Sequence, residues 1–134
     1  MNVKDLIGET TEYEKKVALE IKKPKSWCKT ISVFANGKGG KLIFGVDDND
    51  NIEGLANMKK DSEDLSEIIK THLNPIPKFD MSLKSIEGKD IIVVEVSAGE
   101  QTPYYYDGDG QLIAYFAREV FISVVKGVSN RRLA

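Results

Sequence analysis

Residues 32–55 read SVFANGKGGKLIFGVDDNDNIEGL, the order expected for the end of a helix, a glycine-rich turn, a buried strand and an acidic turn closing on Ile52-Glu53-Gly54-Leu55. Leu42, Phe44 and Val46 fall on one face of the strand and Ile43 and Gly45 on the other, the pattern of a central strand covered on both sides. Glycine at 37, 39 and 40 permits positive φ and lets backbone N–H groups point outward, so the turn is a candidate phosphate cradle. It is not a P-loop, because the G-x-x-x-x-G-K-[ST] spacing is missing and these glycines follow a helix where a P-loop precedes one.

Working outward, residues 9–21 place Tyr13, Val17, Leu19 and Ile21 in an extended segment before Pro24. From Pro24, which a first helical turn tolerates, Trp27, Ile31, Phe34 and Ala35 recur at helical spacing and predict a helix ending at Asn36-Gly37. Beyond the acidic turn, Asp61 is expected to cap a helix with the apolar stripe Leu65, Ile68, Ile69 and Leu73, stopped by Asn74-Pro75. Phe79, Met81 and Leu83 alternate with polar residues, and a turn at Glu87-Gly88 folds that strand onto the apolar run 91–96. Strands are further expected around Tyr104-Tyr105-Tyr106, at 112–116 and at 119–125. The order, roughly β-α-β-(β)-α-β-β-β-β, gives an α+β class: a mixed β-sheet with two helices packed on it.

A chain of 134 residues is expected to form one domain, 1–134, and the stop just after a basic run suggests the N-terminal part of a longer polypeptide. No apolar run approaches the roughly 20 residues that span a bilayer, and no secretory leader opens the sequence, so a cytoplasmic place and no membrane role are expected. Single residues of cysteine, Cys28, and histidine, His72, exclude a disulfide framework and the usual zinc cluster. The net charge of −2 hides an asymmetry: residues 1–45 balance at +4 and residues 46–75 at −5.

Several stretches together carry a family resemblance. Glu12-Tyr13-Glu14-Lys15, the run F-A-N-x-x-G-G-x-L-x-x-G-V-D-D from Phe34 to Asp48, Ile52 to Leu55, Asn74-Pro75, the run 91–96 and Thr102-Pro103-Tyr104 resemble the Schlafen AlbA-like domain. The run from Phe34 to Asp48 is the specific part. The resemblance implies a DNA-binding module of a bacterial transcriptional regulator. The family pattern closes on a Y-x-R-x-G-S-like strand and turn, from which this chain departs. Ala114 to Arg118 lacks the glycine, and Val124 to Arg131 has lysine where arginine is usual; the second is preferred because Gly127 supplies the turn.

Two functions of different class follow. In the first, the chain binds nucleic acid without cleaving it, DNA before RNA, with a homodimer left open and no cofactor. The site would comprise Asn36, Gly37, Lys38, Gly39, Gly40, Lys41, Lys126, Asn130 and Arg131, helped by Lys15, Lys16, Lys22, Lys23, Lys25 and Arg132. The second is implied by family members that are RNases with paired carboxylates and an aspartate after a glycine–valine pair. Here Glu9, Glu14 and Asp48, with Asp47 and Glu12 as competitors, would hold Mg²⁺ or Mn²⁺ for phosphodiester cleavage. A third reading gives the domain a nucleotide or protein partner and no nucleic-acid role, with Tyr104, Tyr105, Tyr106 and Tyr115 as a stacking surface for bases or for another subunit; the alternative for strand tyrosines is ordinary sheet packing.

Overall fold

The computed structural model describes Val3, residues 12–117 and the backbone of residues 121–125. The elements are β1 (Tyr13–Lys16), α1 (Lys25–Asn36), β2 (Gly40–Phe44), α2 (Met58–His72), β3 (Leu73–Asn74), β4 (Phe79–Ile86), β5 (Lys89–Val96), β6 (Tyr105–Gly108), β7 (Gln111–Tyr115) and β8 (Phe121–Val125). The α+β class and the two helices are as expected. The strands are divided between two four-stranded sheets, ordered β1-β2-β5-β4 and β3-β6-β7-β8. The first sheet is mixed: β1 runs parallel to β2, with α1 between them in the chain, whereas β2, β5 and β4 are antiparallel neighbours.

Apolar residues on both faces of β2 and β5 account for their central position. Leu42, Phe44, Ile92, Val94 and Val96 face the main core, which they share with Trp27, Cys28, Ile31, Phe34 and Ala35 of α1 and with Leu65 and Ile69 of α2. Ile43, Ile91 and Val93 line the opposite face, with Val46 and Val3. Trp27 meets Phe44 edge to face, ring centroids 5.7 Å apart, which anchors α1 to the first sheet. Gly45 lies just past β2 at φ +103°, and a Cβ there would sit 3.1 Å from Asp90 O and from Ile91 Cγ2. Gly45 is therefore a close approach to β5 just beyond the strand in which the sequence places it.

The start of α2 is one turn earlier than the sequence suggests. Asn57 is the cap, its Oδ1 accepting from Lys60 N–H at 3.2 Å, and Asp61 stands inside the first turn. The reason is Met58, which packs against the main core and extends the apolar stripe back past Asp61. Asp61 still complements the positive end of the helix dipole.

Candidate nucleic-acid interface

The glycine turn closes the C-terminal end of α1. Gly37 N–H and Gly39 N–H both donate to Phe34 O, at 3.1 and 2.9 Å, and Gly99 N–H donates to Ala35 O at 2.8 Å. The last carbonyls of the helix thus take up amides that the sequence had suggested for an anion. Gly39 adopts φ +81°, and a Cβ there would lie 2.6 Å from Val96 O; one on Gly40 would lie 2.6 Å from the Phe34 ring. Glycine at these two positions is what lets the turn press against β5 and the core.

Asn36 is spent in the same way. Its Nδ2 donates to Tyr104 O and Tyr115 O, both at 3.0 Å, and its Oδ1 accepts from Tyr104 N–H at 2.6 Å. Ser32, one turn earlier and fully buried, donates to Tyr104 O at 2.8 Å and accepts from Tyr115 N–H at 3.0 Å. The pair ties α1 to the second sheet at the start of β6 and the end of β7, and the Asn36 amide nitrogen is taken up by the protein's own carbonyls.

Around the turn, basic and acidic groups alternate. Lys38 is exposed between two clefts of about 540 and 310 Å³, both lined by Glu12, the larger also by Glu95. Lys41 Nζ lies 3.6 Å from Glu95 Oε2. This is also the end of α1 at which the helix dipole is negative.

The other end of α1 differs. The twelve residues of α1 place it ~18 Å away at 1.5 Å per residue. There Lys22, Lys23, Lys25 and Lys29 border a cavity of about 450 Å³, with Pro24, Tyr115 and Asp109 in its walls. Trp27 Nε1 donates to Glu20 O at 3.1 Å and Ser26 Oγ to Lys23 O at 2.8 Å, which fixes the loop carrying the first two lysines. Lys25 Nζ donates to Gln111 Oε1 at 3.1 Å. The dipole is positive at this end, so it adds to the lysines' field. Sequence reasoning counted Lys22, Lys23 and Lys25 but joined them to the glycine turn, and it passed over Lys29. The i, i+4 spacing of Lys25 and Lys29 on a predicted helix was the available signal.

Of the carboxylates in the nuclease reading, Glu9 lies outside the described residues, and the others are placed as follows. Among the described residues no three aspartate, glutamate, histidine or cysteine side chains are grouped so as to hold a metal ion. Glu14 and Asp48 are both exposed. Lys15, beside Glu14 in β1, forms an ion pair with Asp50 at 2.5 Å, and that hydrogen bond raises the lysine pKa, with Asp48 contributing at longer range. The acidic turn is thus answered by a lysine that the sequence offered to phosphate. Asp47 accepts from Asn49 and Asn51 N–H at 2.8 and 2.9 Å, and the Asn51 backbone bond leads in holding its carboxyl below the usual aspartate range. Glu9, Lys126, Asn130, Arg131 and Arg132 lie outside the described residues.

Three of the four tyrosines are buried. Tyr104 and Tyr106 belong to the main core and Tyr105 to a small cluster with Leu112 and Ala114, while Tyr115 is half-buried, packed against the main core and also lining the lysine-bordered cavity. The Cys28 thiol is pushed up by burial, and the His72 ring stacks on Tyr106 with centroids 6.1 Å apart.

Comparison with known proteins bears on this arrangement. The family described as Schlafen, AlbA_2 matches residues 8–122. No curated protein sequence gives a match. Among solved structures, the chain is similar to the N-terminal domain of a RecG-related protein from Nitrosomonas europaea, named for its relation to ATP-dependent DNA helicases. The TM-score is 0.60 with 27% identity, over 81% of this chain and 78% of that one. It is also similar in fold to the DIP2311 protein from Corynebacterium diphtheriae, with TM-score 0.57 and 17% identity over 87% of this chain and 22% of that much longer one. Among the described residues no helix is long and apolar enough to cross a membrane. With the glycine turn and both helices inside a match that covers most of the sequence, the chain belongs to the Schlafen AlbA_2 family.

Proposed function

We propose that this domain binds nucleic acid through its phosphate backbone, DNA before RNA, as the DNA-binding module of a transcriptional regulator acting in the cytoplasm. The observation that carries the reading is the collar of Lys22, Lys23, Lys25 and Lys29 around one cavity at the positive end of α1. Four lysines against a single acidic residue, Asp109, among those that line the hollow give a local excess of positive charge that a polyanion seeks even though the whole chain is slightly acidic. The family match and the helicase-related name of the Nitrosomonas neighbour support the same reading. Lys38 is a secondary contact in this scheme, and Lys126, Asn130 and Arg131 are proposed flanking contacts.

The test is a salt titration of DNA affinity. Log K should fall linearly with log salt, with a slope of about 0.9 per phosphate neutralised. Lys22→Ala, Lys25→Ala and Lys29→Ala combined should weaken binding and flatten the slope. An unchanged slope in the folded triple variant would remove the cavity from the interface.

A further inference from the structure

We infer that the lysine-collared cavity receives one unpaired nucleotide, so that the preferred ligand is single-stranded DNA and not the duplex. The inference rests on the nucleic-acid reading above and adds to it the state of the strand. A backbone-only site needs lysines on a surface that a polyanion can lie along. Here the lysines border an open hollow of about 450 Å³, with Lys22, Lys23, Lys29 and Asp109 exposed at its rim, room for one base laid against its floor.

The walls of the hollow carry the argument. Pro24 and Tyr115 line it, Tyr115 half-buried with its side chain also packed against the main core, and bases stack on the accessible part of such rings regardless of sequence. Tyr115 is held in place from behind, because its N–H is bonded to Ser32 Oγ and its carbonyl to Asn36 Nδ2, so the ring is presented by a rigid β7. In a duplex the faces of a base are covered by its neighbours; in a single strand they are open, and no unpairing cost is incurred. Asp109 supports the same choice. A carboxylate in the wall repels phosphate, but it accepts from the amino group of an exposed base edge. The Asp109 side chain is oriented by Tyr106, whose hydroxyl donates to Oδ2 at 3.2 Å.

The experiment compares a short single strand with a duplex of the same length by fluorescence anisotropy, for the wild-type chain, Tyr115→Phe, Tyr115→Leu and the triple lysine variant. A second series carries 2-aminopurine at successive positions of the single strand. The single strand should bind more tightly than the duplex. Tyr115→Leu should weaken single-strand binding by about 5- to 160-fold, the range for loss of one base–aromatic stack, and spare the duplex, while Tyr115→Phe should bind as wild type. 2-Aminopurine fluorescence should change sharply at one position on binding, a readout that stands even if Tyr115→Leu fails to fold. Equal affinity for both forms, with no position-dependent fluorescence change, would overturn the pocket while leaving backbone binding intact, provided the lysine variant weakens both forms. Failure of the wild-type chain to bind either form at low salt would remove both readings together.

Discussion

The two ends of helix α1 carry the same residue type to different effect. At the N-terminal end, Lys22, Lys23, Lys25 and Lys29 face a cavity with one carboxylate in its wall; at the C-terminal end, Lys38 and Lys41 stand among Glu12 and Glu95, over amides turned back onto Phe34 O. The helix dipole has opposite sign at the two places. A lysine near a glycine-rich turn is therefore a phosphate ligand only if the turn leaves its N–H groups outward. Here the glycines serve a close approach between α1, β2 and β5.

The largest effect expected from this contrast is structural. Asn36→Asp replaces the Nδ2 donor with an oxygen facing the carbonyls of Tyr104 and Tyr115, and loss of such part-buried bonds should cost about 2–4 kcal/mol, a fall in Tm on the order of 10 °C. The folded fraction should still bind DNA. A variant with wild-type Tm and weakened DNA binding would return Asn36 to the interface.

At the opposite end, Lys22→Ala, Lys25→Ala and Lys29→Ala should each leave the stability within about 0.5 kcal/mol of wild type, while the triple variant flattens the salt slope by up to about three units. Calorimetry and a salt titration on the same samples separate the two ends. Next in size is Gly39→Ala, which combines a left-handed backbone with a Cβ 2.6 Å from Val96 O; a loss of about 2 kcal/mol is expected in a denaturant melt. A melt unchanged by this substitution would show that the turn is free to move and so able to receive a ligand.

The smallest effect concerns the alternating charges. Lys41→Ala should shift stability by less than about 1 kcal/mol, since its partner Glu95 is largely exposed, and should barely change DNA affinity. Glu12→Gln with Glu95→Gln is the sharper probe: a marked gain in DNA affinity would mean that phosphate passes the glycine turn after all.

Much of the fold was legible because its signals are local. The four-residue recurrence from Trp27 to Ala35, the alternation at 79–83 and the apolar run at 91–96 each lie within one element and found their helix or strands. The cap at Asn57 was missed because Met58 reads as loop until the core that buries it is known. At the site, the lysines were visible but their grouping was not, since charge counted along the chain merges groups that a rigid helix holds ~18 Å apart.

The sequence by itself determined both helices and most of the strands, the family and the presence of a basic N-terminal third, because propensity, periodicity and a contiguous motif need no knowledge of distant partners; β3, at Leu73–Asn74 where a helical stripe was expected, exists only through its pairing with β6. Tertiary structure alone decided what the polar residues do. Asn36 is bonded to Tyr104 and Tyr115, 68 and 79 positions away, and Lys15 to Asp50, 35 away. Whether such a group is spent on the protein or left to a ligand depends on which chain segment closes against it, and closure is set by the burial of both faces of β2 and β5 and not by any residue near the group in sequence.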